Sequence, residues 1–224
     1  MSDKKKAFWF IALLSTLVII PFLGETIFYS KGEPREAIVA YSMLESGNWI
    51  LPLNYGTDIA YKPPFLYWSI AAISAIFGGV SEFSSRLPSA IAFLAMQFVF
   101  FGFVARYKNT KTAVITSLLL LTSFEVHRAV ACRLDMLQVS FIVISLCLLF
   151  RWDEKGCKGI PWTAVVLMAC GTLTKGPVGS IFPCMCIGIY QLIRGRSFGK
   201  TFLSLFRIGL LSLIPLGIWF YRSE

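Results

Sequence analysis

Long apolar runs separated by short polar and charged segments dominate the pattern of this chain. The runs cover residues 7–23, 87–104, 112–124, 134–150, 162–173, 178–193 and 202–220. Several approach the roughly 17 to 25 residues that a helix needs to cross the hydrocarbon core of a bilayer. The runs are continuous and do not alternate with a period of two, so they predict spanning helices rather than barrel strands.

Composition agrees with this pattern. Of the 224 residues, 56% are hydrophobic and 15% aromatic, and the mean hydropathy is +0.70, well above that of a soluble domain. We expect residues 1–224 to form one all-α, polytopic transmembrane domain. The expected spans, about seven, are 7–24, 86–105, 112–130, 134–150, 160–174, 177–193 and 203–221.

A further apolar stretch, residues 65–77, is interpreted differently. It is short and begins after Pro63 and Pro64. Counting it as a full crossing would reverse the orientation of everything that follows. We therefore expect a juxtamembrane or re-entrant helix within a large outer loop, residues 25–85.

Charge indicates the orientation. Basic clusters occur at residues 4–6, 106–111, 151–158 and 194–207, and the expected spans place all four on the same side. Because cytoplasmic loops carry an excess of Lys and Arg, we assign this side to the cytoplasm. The net charge of +9 then needs no nucleic-acid partner. The six cysteines have no metal-ligand spacing and are interpreted as small apolar side chains.

The outer connections carry a mixed set of charged and polar residues. The set is Glu25, Lys31, Glu33, Arg35, Glu36, Asp58, Lys62, Glu82, Arg86, Glu125, His127, Arg128, Arg133, Asp135 and Lys175. Ionisable residues beside a bilayer indicate a functional site by default. Lys and Arg at this level suit an anionic lipid head group such as a phosphate. Neighbouring carboxylates suit a general base or a divalent metal ion.

Structural roles explain several of these residues equally well. Arg35 fits the solvated face of a short amphipathic helix at residues 33–45. Lys62 fits a side chain that reaches the membrane interface, and Asp135 fits a structural pair with Arg133. Lys175 fits a cation at a helix C-terminus.

The order of the motifs resembles glycosyltransferase family 39 and the aminoarabinose-transferase-like enzymes, which share the GT-C membrane fold. The similar segments are Gly32-Glu33-Pro34-Arg35-Glu36-Ala37, Met43-Leu44-Glu45-Ser46-Gly47-Asn48-Trp49, Tyr61-Lys62-Pro63-Pro64, Glu82-Phe83-Ser84-Ser85-Arg86, Arg133-Leu134-Asp135-Met136 and Leu173-Thr174-Lys175-Gly176-Pro177. They occur in the family's order along nearly the whole chain. The acidic residue that usually opens the first motif is Gly32 here, and the usual Glu before Lys-Pro-Pro is Tyr61.

The resemblance implies transfer of a sugar from a polyprenyl-phosphate donor to a lipid A, glycan or protein acceptor on the periplasmic side of the bacterial inner membrane. It implies Glu33 and Asp135 as catalytic carboxylates. Arg35, Lys62, Arg86 and Lys175 would contact the donor phosphate, and a divalent metal is an open possibility.

Family members are usually several hundred residues long. We therefore expect residues 1–224 to be the N-terminal part of a GT-C-type module, with a missing C-terminal half as its partner. The alternatives are a non-catalytic membrane scaffold, a lipid-binding subunit or an inactive half-enzyme.

Overall fold

Helices make up most of the described chain, as the apolar runs predict. The computed structural model describes residues 2–55, 57–60, 62–123 and 131–223. In chain order the elements are α1 (Asp3–Ile19) with a 3₁₀ turn (Ile20–Phe22), α2 (Gly32–Ser46), β1 (Leu53–Asn54), β2 (Asp58–Ile59), α3 (Phe65–Ile76), α4 (Glu82–Tyr107), α5 (Thr110–Leu121), α6 (Leu134–Glu154), α7 (Trp162–Lys175), α8 (Val178–Ile193) and α9 (Phe198–Ser223). The predicted all-α class is confirmed. The antiparallel hairpin β1–β2 was not predicted.

In the described part of the chain, four helical segments are long and apolar enough to cross a membrane. They are Asp3–Phe22, Glu82–Tyr107, Leu134–Glu154 and Phe198–Ser223. The chain is therefore a multi-pass membrane protein. The other expected spans correspond to helices α5, α7 and α8, which have 12, 14 and 16 residues. The expected total of seven spans stays a prediction.

Helix α5 differs most from its predicted bounds. The expected span was 112–130, but α5 ends at Leu121. Thr122 and Ser123 follow outside the helix. Residues 124–130, among them Glu125, His127 and Arg128, lie outside the described part of the chain, and so do the expectations that concern them.

Helix ends follow local capping chemistry. The Ser81 hydroxyl accepts a hydrogen bond from the backbone N–H of Ser84, and the Ser84 hydroxyl accepts one from the backbone N–H of Ser81. This capping box starts α4 four residues before the predicted span, because it satisfies backbone donors of the first turn. Asn109 caps α5 in a similar way. Gly47 ends α2 in the left-handed conformation, with a φ of 68°.

The chain divides into two compact units. The first comprises Met1–Ala60 and Leu66–Leu137. There α1 packs against α4 and α5, with Ile11, Phe101 and Ala113 buried together. Buried Val39, Met43 and Tyr67 form a second cluster between α2 and α3.

The second unit comprises Tyr61–Phe65 and Gln138–Glu224. Helices α7, α8 and α9 all pack against one another. The buried core of this unit contains Leu149, Trp152, Ala164, Val165, Met168, Ile187, Leu205 and Ile208. Exposed apolar side chains such as Ile181, Phe202 and Phe206 cover the outer faces of α8 and α9, as expected for surfaces in contact with lipid.

Candidate functional site

A buried ion pair lies where the first outer loop meets α4. The Nε of Arg86 donates to Oε1 of Glu33 at 2.8 Å. The two side chains are only 4% and 0% exposed. A buried charge is strongly unfavourable unless it is paired and hydrogen-bonded, and each of these residues supplies what the other requires.

The guanidinium of Arg86 has further partners. Its Nη1 donates to the carbonyl oxygens of Leu23 at 2.8 Å and Thr26 at 2.7 Å. Its Nη2 donates to the carbonyl oxygen of Ile27 at 3.1 Å. Arg86 therefore fixes residues 23–27, the segment that leaves the first span, to the first turns of α4.

The carboxylate of Glu33 is equally well occupied. Its Oε2 accepts from the backbone N–H groups of Tyr29 at 3.1 Å and Ser30 at 3.4 Å. Its Oε1 also accepts from the backbone N–H of Cys132 at 3.3 Å. Glu33 lies in the first turn of α2, where the helix dipole favours a negative charge. Both oxygens are thus engaged in holding the loop.

The pKa of Glu33 reflects these contacts. Burial alone would raise the pKa, since it disfavours the charged form. The hydrogen bond and positive charge of Arg86, together with the N–H donors of Cys132 and Tyr29, outweigh burial and hold the pKa below its usual range. Glu33 is therefore an ionised, fully hydrogen-bonded carboxylate at neutral pH.

Arg35 presents a contrasting environment on the same helix. Its Nη2 donates to Oε1 of Glu36 at 3.0 Å, and the side chains are 55% and 2% exposed. Burial and the negative charge of Glu36 raise the pKa of the Tyr67 phenol. A buried carboxylate thus holds an exposed guanidinium at the surface of the first unit, where its other N–H groups are accessible.

The sequence did not single out Arg133 or Glu36 as site residues. A side chain at position 32 would meet the Arg133 guanidinium, whose Nε and Nη2 lie 3.9 Å from an ideal Cβ at Gly32. The family's acidic position is therefore adjacent to an arginine in this chain. In the sequence, only the position of Arg133 two residues before Asp135 indicated a structural role for this arginine.

The remaining predicted residues lie at element boundaries. Asp135 is exposed in the first turn of α6. Lys175 is exposed at the last residue of α7, and Gly176 follows with a φ of 84°. Lys62 is half-buried before Pro63. Lys62 and Lys175 belong to the second unit, and the other predicted site residues belong to the first.

Within the first unit, the structure brings Glu33 and Arg86 into direct contact and places Arg35 at the surface of the same helix as Glu33. Among the described residues, no group of three or more His, Cys, Asp or Glu side chains could hold a metal ion.

The elements and the site together define a multi-pass helical membrane protein with a charged loop anchored to its first spans. A profile of the dolichyl-phosphate-mannose-protein mannosyltransferase family matches residues 61–219. The chain belongs to this family.

Curated relatives agree with this assignment. An uncharacterized protein of Aquifex aeolicus is 34% identical over 199 residues, which are 85% of this chain and 43% of the relative. The undecaprenyl phosphate-alpha-4-amino-4-deoxy-L-arabinose arabinosyl transferase of Shewanella sediminis is 31% identical over 179 residues, 76% of this chain and 32% of the relative. The chain thus spans less than half the length of these relatives.

Solved structures confirm the predicted GT-C-like fold. ArnT from Cupriavidus metallidurans in the apo state matches with a TM-score of 0.84 and 22% identity, over 99% of this chain and 42% of ArnT. The Archaeoglobus fulgidus oligosaccharyltransferase matches with a TM-score of 0.67 and 13% identity, over 95% of this chain and 29% of that protein. At these identities the likeness concerns the fold.

Proposed function

We propose that this chain forms the N-terminal part of a glycosyltransferase that moves a sugar from a polyprenyl-phosphate donor to a periplasmic-side acceptor. The observation that carries the proposal is Arg35, an exposed cation held in place by buried Glu36 in the first outer loop. Family membership supports the reaction class. A structure of ArnT from Cupriavidus metallidurans bound to undecaprenyl phosphate supports the donor class.

In the proposed reaction, an acceptor oxygen attacks the anomeric carbon of the sugar while the bond to the lipid phosphate breaks. A carboxylate receives the proton of the acceptor, and the lipid phosphate leaves with the bonding electron pair. Arg35, Lys62 and Lys175 are the proposed phosphate contacts, since cations stabilise negative charge that develops on the leaving group.

The two proposed carboxylates are in different states. Asp135 is exposed in the first turn of α6, so an acceptor can approach it from solvent. Glu33 could act as base only if its ion pair with Arg86 opened. A phosphate contact from Arg86 would likewise require the guanidinium to leave the carbonyl oxygens of Leu23 and Thr26. We therefore propose a structural role for Glu33 and Arg86, which fix the position of α2 and so of Arg35.

The proposed location is the bacterial inner membrane, with the N-terminus in the cytoplasm. The basic clusters at residues 4–6, 106–111, 151–158 and 194–207 support this orientation, because short cytoplasmic loops carry the excess of Lys and Arg. Arg35 and Lys62 then face the periplasm.

Transfer of a radiolabelled sugar from undecaprenyl phosphate to lipid acceptors tests the proposal in membranes that contain this chain. We expect labelled product with the parent chain and with Lys31→Ala, which removes an exposed lysine beside the motif. Lys62→Ala should reduce the product at least about tenfold, because the variant loses one charge-assisted hydrogen bond to the phosphate. Absence of product from a folded parent chain would overturn self-sufficient transfer.

A lipid-binding subunit without catalytic activity is the second candidate. Two observations favour the lipid-binding subunit. Both oxygens of the Glu33 carboxylate already accept hydrogen bonds, and position 32 is a glycine. The same assay discriminates the two candidates when undecaprenyl phosphate binding is measured in parallel. Binding without transfer would support the subunit.

A further inference from the structure

An apolar groove runs between α8 and α9 in the second unit. Its volume is about 520 Å³, within the roughly 300 to 1,000 Å³ of typical ligand pockets. Ile181, Met185, Phe202, Phe206 and Leu210 are among the residues that line it. The groove is apolar along nearly its whole length, so its occupant must present a hydrocarbon surface.

The walls of the groove are well defined. The rings of Phe198, Phe202 and Phe206 are stacked, with interplanar angles of 14° and 19° between successive rings, and they form one flat wall. Gly188 lets the two helices approach closely, because a Cβ there would lie 3.0 Å from Cδ1 of Leu205. At Gly209 a Cβ would lie 3.7 Å from Sγ of Cys184, in ordinary van der Waals contact. Gly209 therefore lies at the floor of the groove, where α8 and α9 meet.

One end of the groove is basic. Leu192 and Phe198 line that end. Arg194 directly follows the last residue of α8, and Lys200 lies in the first turn of α9. Both cations are exposed. Arg194 donates to the hydroxyl of Tyr190 at 2.9 Å, which uses one of its five N–H groups. Arg196 instead forms an ion pair with Asp153, with 3.4 Å between Nη1 and Oδ1.

We infer that this groove binds one acyl chain of an anionic phospholipid, with the lipid phosphate between Arg194 and Lys200. Basic pockets between membrane helices on the cytoplasmic side bind anionic head groups in this way. The basic end is cytoplasmic in the proposed orientation, so the lipid belongs to the inner leaflet. This lipid site goes beyond the proposed transfer reaction and does not depend on it.

The position of the charges favours a phospholipid in the groove over a polyprenyl phosphate or a second copy of the chain. The proposed donor phosphate contact Lys175 lies at the opposite end of α8, and a 16-residue helix is about 24 Å long. A polyprenyl phosphate held at Lys175 would leave the basic end without a phosphate. A symmetric second copy would place its own Arg194 and Lys200 against the same cations, which is unfavourable.

Spin-labelled lipids test the site in the full chain reconstituted in phosphatidylcholine bilayers. The fraction of motionally restricted probe is compared for phosphatidylglycerol and phosphatidylcholine, each with a nitroxide near the end of one acyl chain. We expect selective restriction of phosphatidylglycerol. Arg194→Gln combined with Lys200→Gln should weaken its apparent affinity at least about tenfold, since each surface cation attracts an anionic lipid.

Two further variants separate the groove from general surface charge. Lys4→Gln with Lys5→Gln removes two exposed cations on the same proposed membrane side and should leave the selectivity unchanged. Gly209→Leu fills the groove and should abolish the selectivity while the helical circular dichroism is retained. Should that variant fail to fold, the exposed charge variant decides the question alone.

Other results would overturn the inference. Equal restriction of both probes would indicate ordinary lipid contact. Displacement of phosphatidylglycerol by an equimolar amount of undecaprenyl phosphate would assign the groove to the donor. A dimer that excludes both probes would assign it to a second copy.

Discussion

At the residue scale, Glu33 and Arg86 join segments that are distant in the sequence. Arg86 reaches the carbonyl oxygens of residues 23–27, and Glu33 reaches the backbone of Cys132, 99 residues away. The pair therefore fixes the path of the first outer loop and, with it, the position of α2. Arg35, on the same helix, depends on this anchor for its location.

Removing Arg86 should destabilise the first unit. Arg86→Ala leaves the Glu33 carboxylate buried without its cation, and we expect a loss of about 3–5 kcal/mol in the free energy of unfolding. Thermal or denaturant unfolding in detergent, followed by circular dichroism, measures the change. Lys31→Ala is the matched control, because this lysine is exposed in the same loop and its loss should change stability by about 1 kcal/mol or less. Equal stability of the two variants would contradict the anchoring role.

Acid should weaken the same anchor. The pKa of Glu33 is lower in the folded chain than its usual value, so the unfolded chain binds the proton first as the pH falls. The stabilisation is therefore complete above the usual glutamate range and is lost as the pH falls through the folded pKa, by at most about 1.4 kcal/mol per pH unit. Unfolding measured between neutral pH and pH ~3 should show a steeper loss in the parent chain than in Glu33→Gln. Parallel curves would contradict the ionised state of Glu33.

The sequence indicated the types of residue at the site but not their partners. Glu33, Arg35 and Arg86 stand out because charged residues are scarce in so apolar a chain. Whether two of them pair depends on how segments 53 residues apart are packed, which no local pattern encodes. Glu36 and Arg133 carried weaker signals, since their contacts arise from the helix that holds Arg35 and from the turn before α6.

At the element scale, helices α7 and α8 approach closely at a pair of glycines. A Cβ at Gly179 would lie 2.4 Å from the carbonyl carbon of Gly171. The two backbones touch at this point because neither residue has a side chain. Small residues allow such close approach between membrane helices.

Gly179→Ala should force α7 and α8 apart. We expect a loss of about 1–3 kcal/mol in unfolding free energy from overpacking, despite the higher helix propensity of alanine. Gly217→Ala in α9 is the control, because nothing lies within 4 Å of its Cβ position. That variant should be neutral or gain up to about 1 kcal/mol. Equal effects of the two substitutions in a denaturant titration would refute the close contact.

Helix types were easier to predict than helix ends. The apolar runs predicted α4, α6 and α9, since only helices satisfy a backbone inside a bilayer. The start of α4 shifted from 86 to Glu82 because the Ser81–Ser84 capping box lies outside the apolar run. The hairpin β1–β2, with two residues in each strand, is too short for a periodic pattern.

At the scale of the whole molecule, the chain has the fold of ArnT over 99% of its length and corresponds to 42% of that protein. The charged loop, α2 and α3 all lie within this part. Donor binding and transfer are therefore measured separately in this chain, because transfer requires an acceptor site in addition to the donor site.

Direct binding of undecaprenyl phosphate to the purified chain tests the central claim most directly. Native mass spectrometry of the parent chain, Arg35→Ala, Lys62→Ala and Lys31→Ala gives the four affinities. We predict that the parent chain and Lys31→Ala bind equally, and that each of the other two variants binds at least about tenfold more weakly, because each loses a charge-assisted hydrogen bond to the phosphate. Absence of binding to a folded parent chain, or equal affinity of all four proteins, would contradict the proposed phosphate contacts of Arg35 and of Lys62.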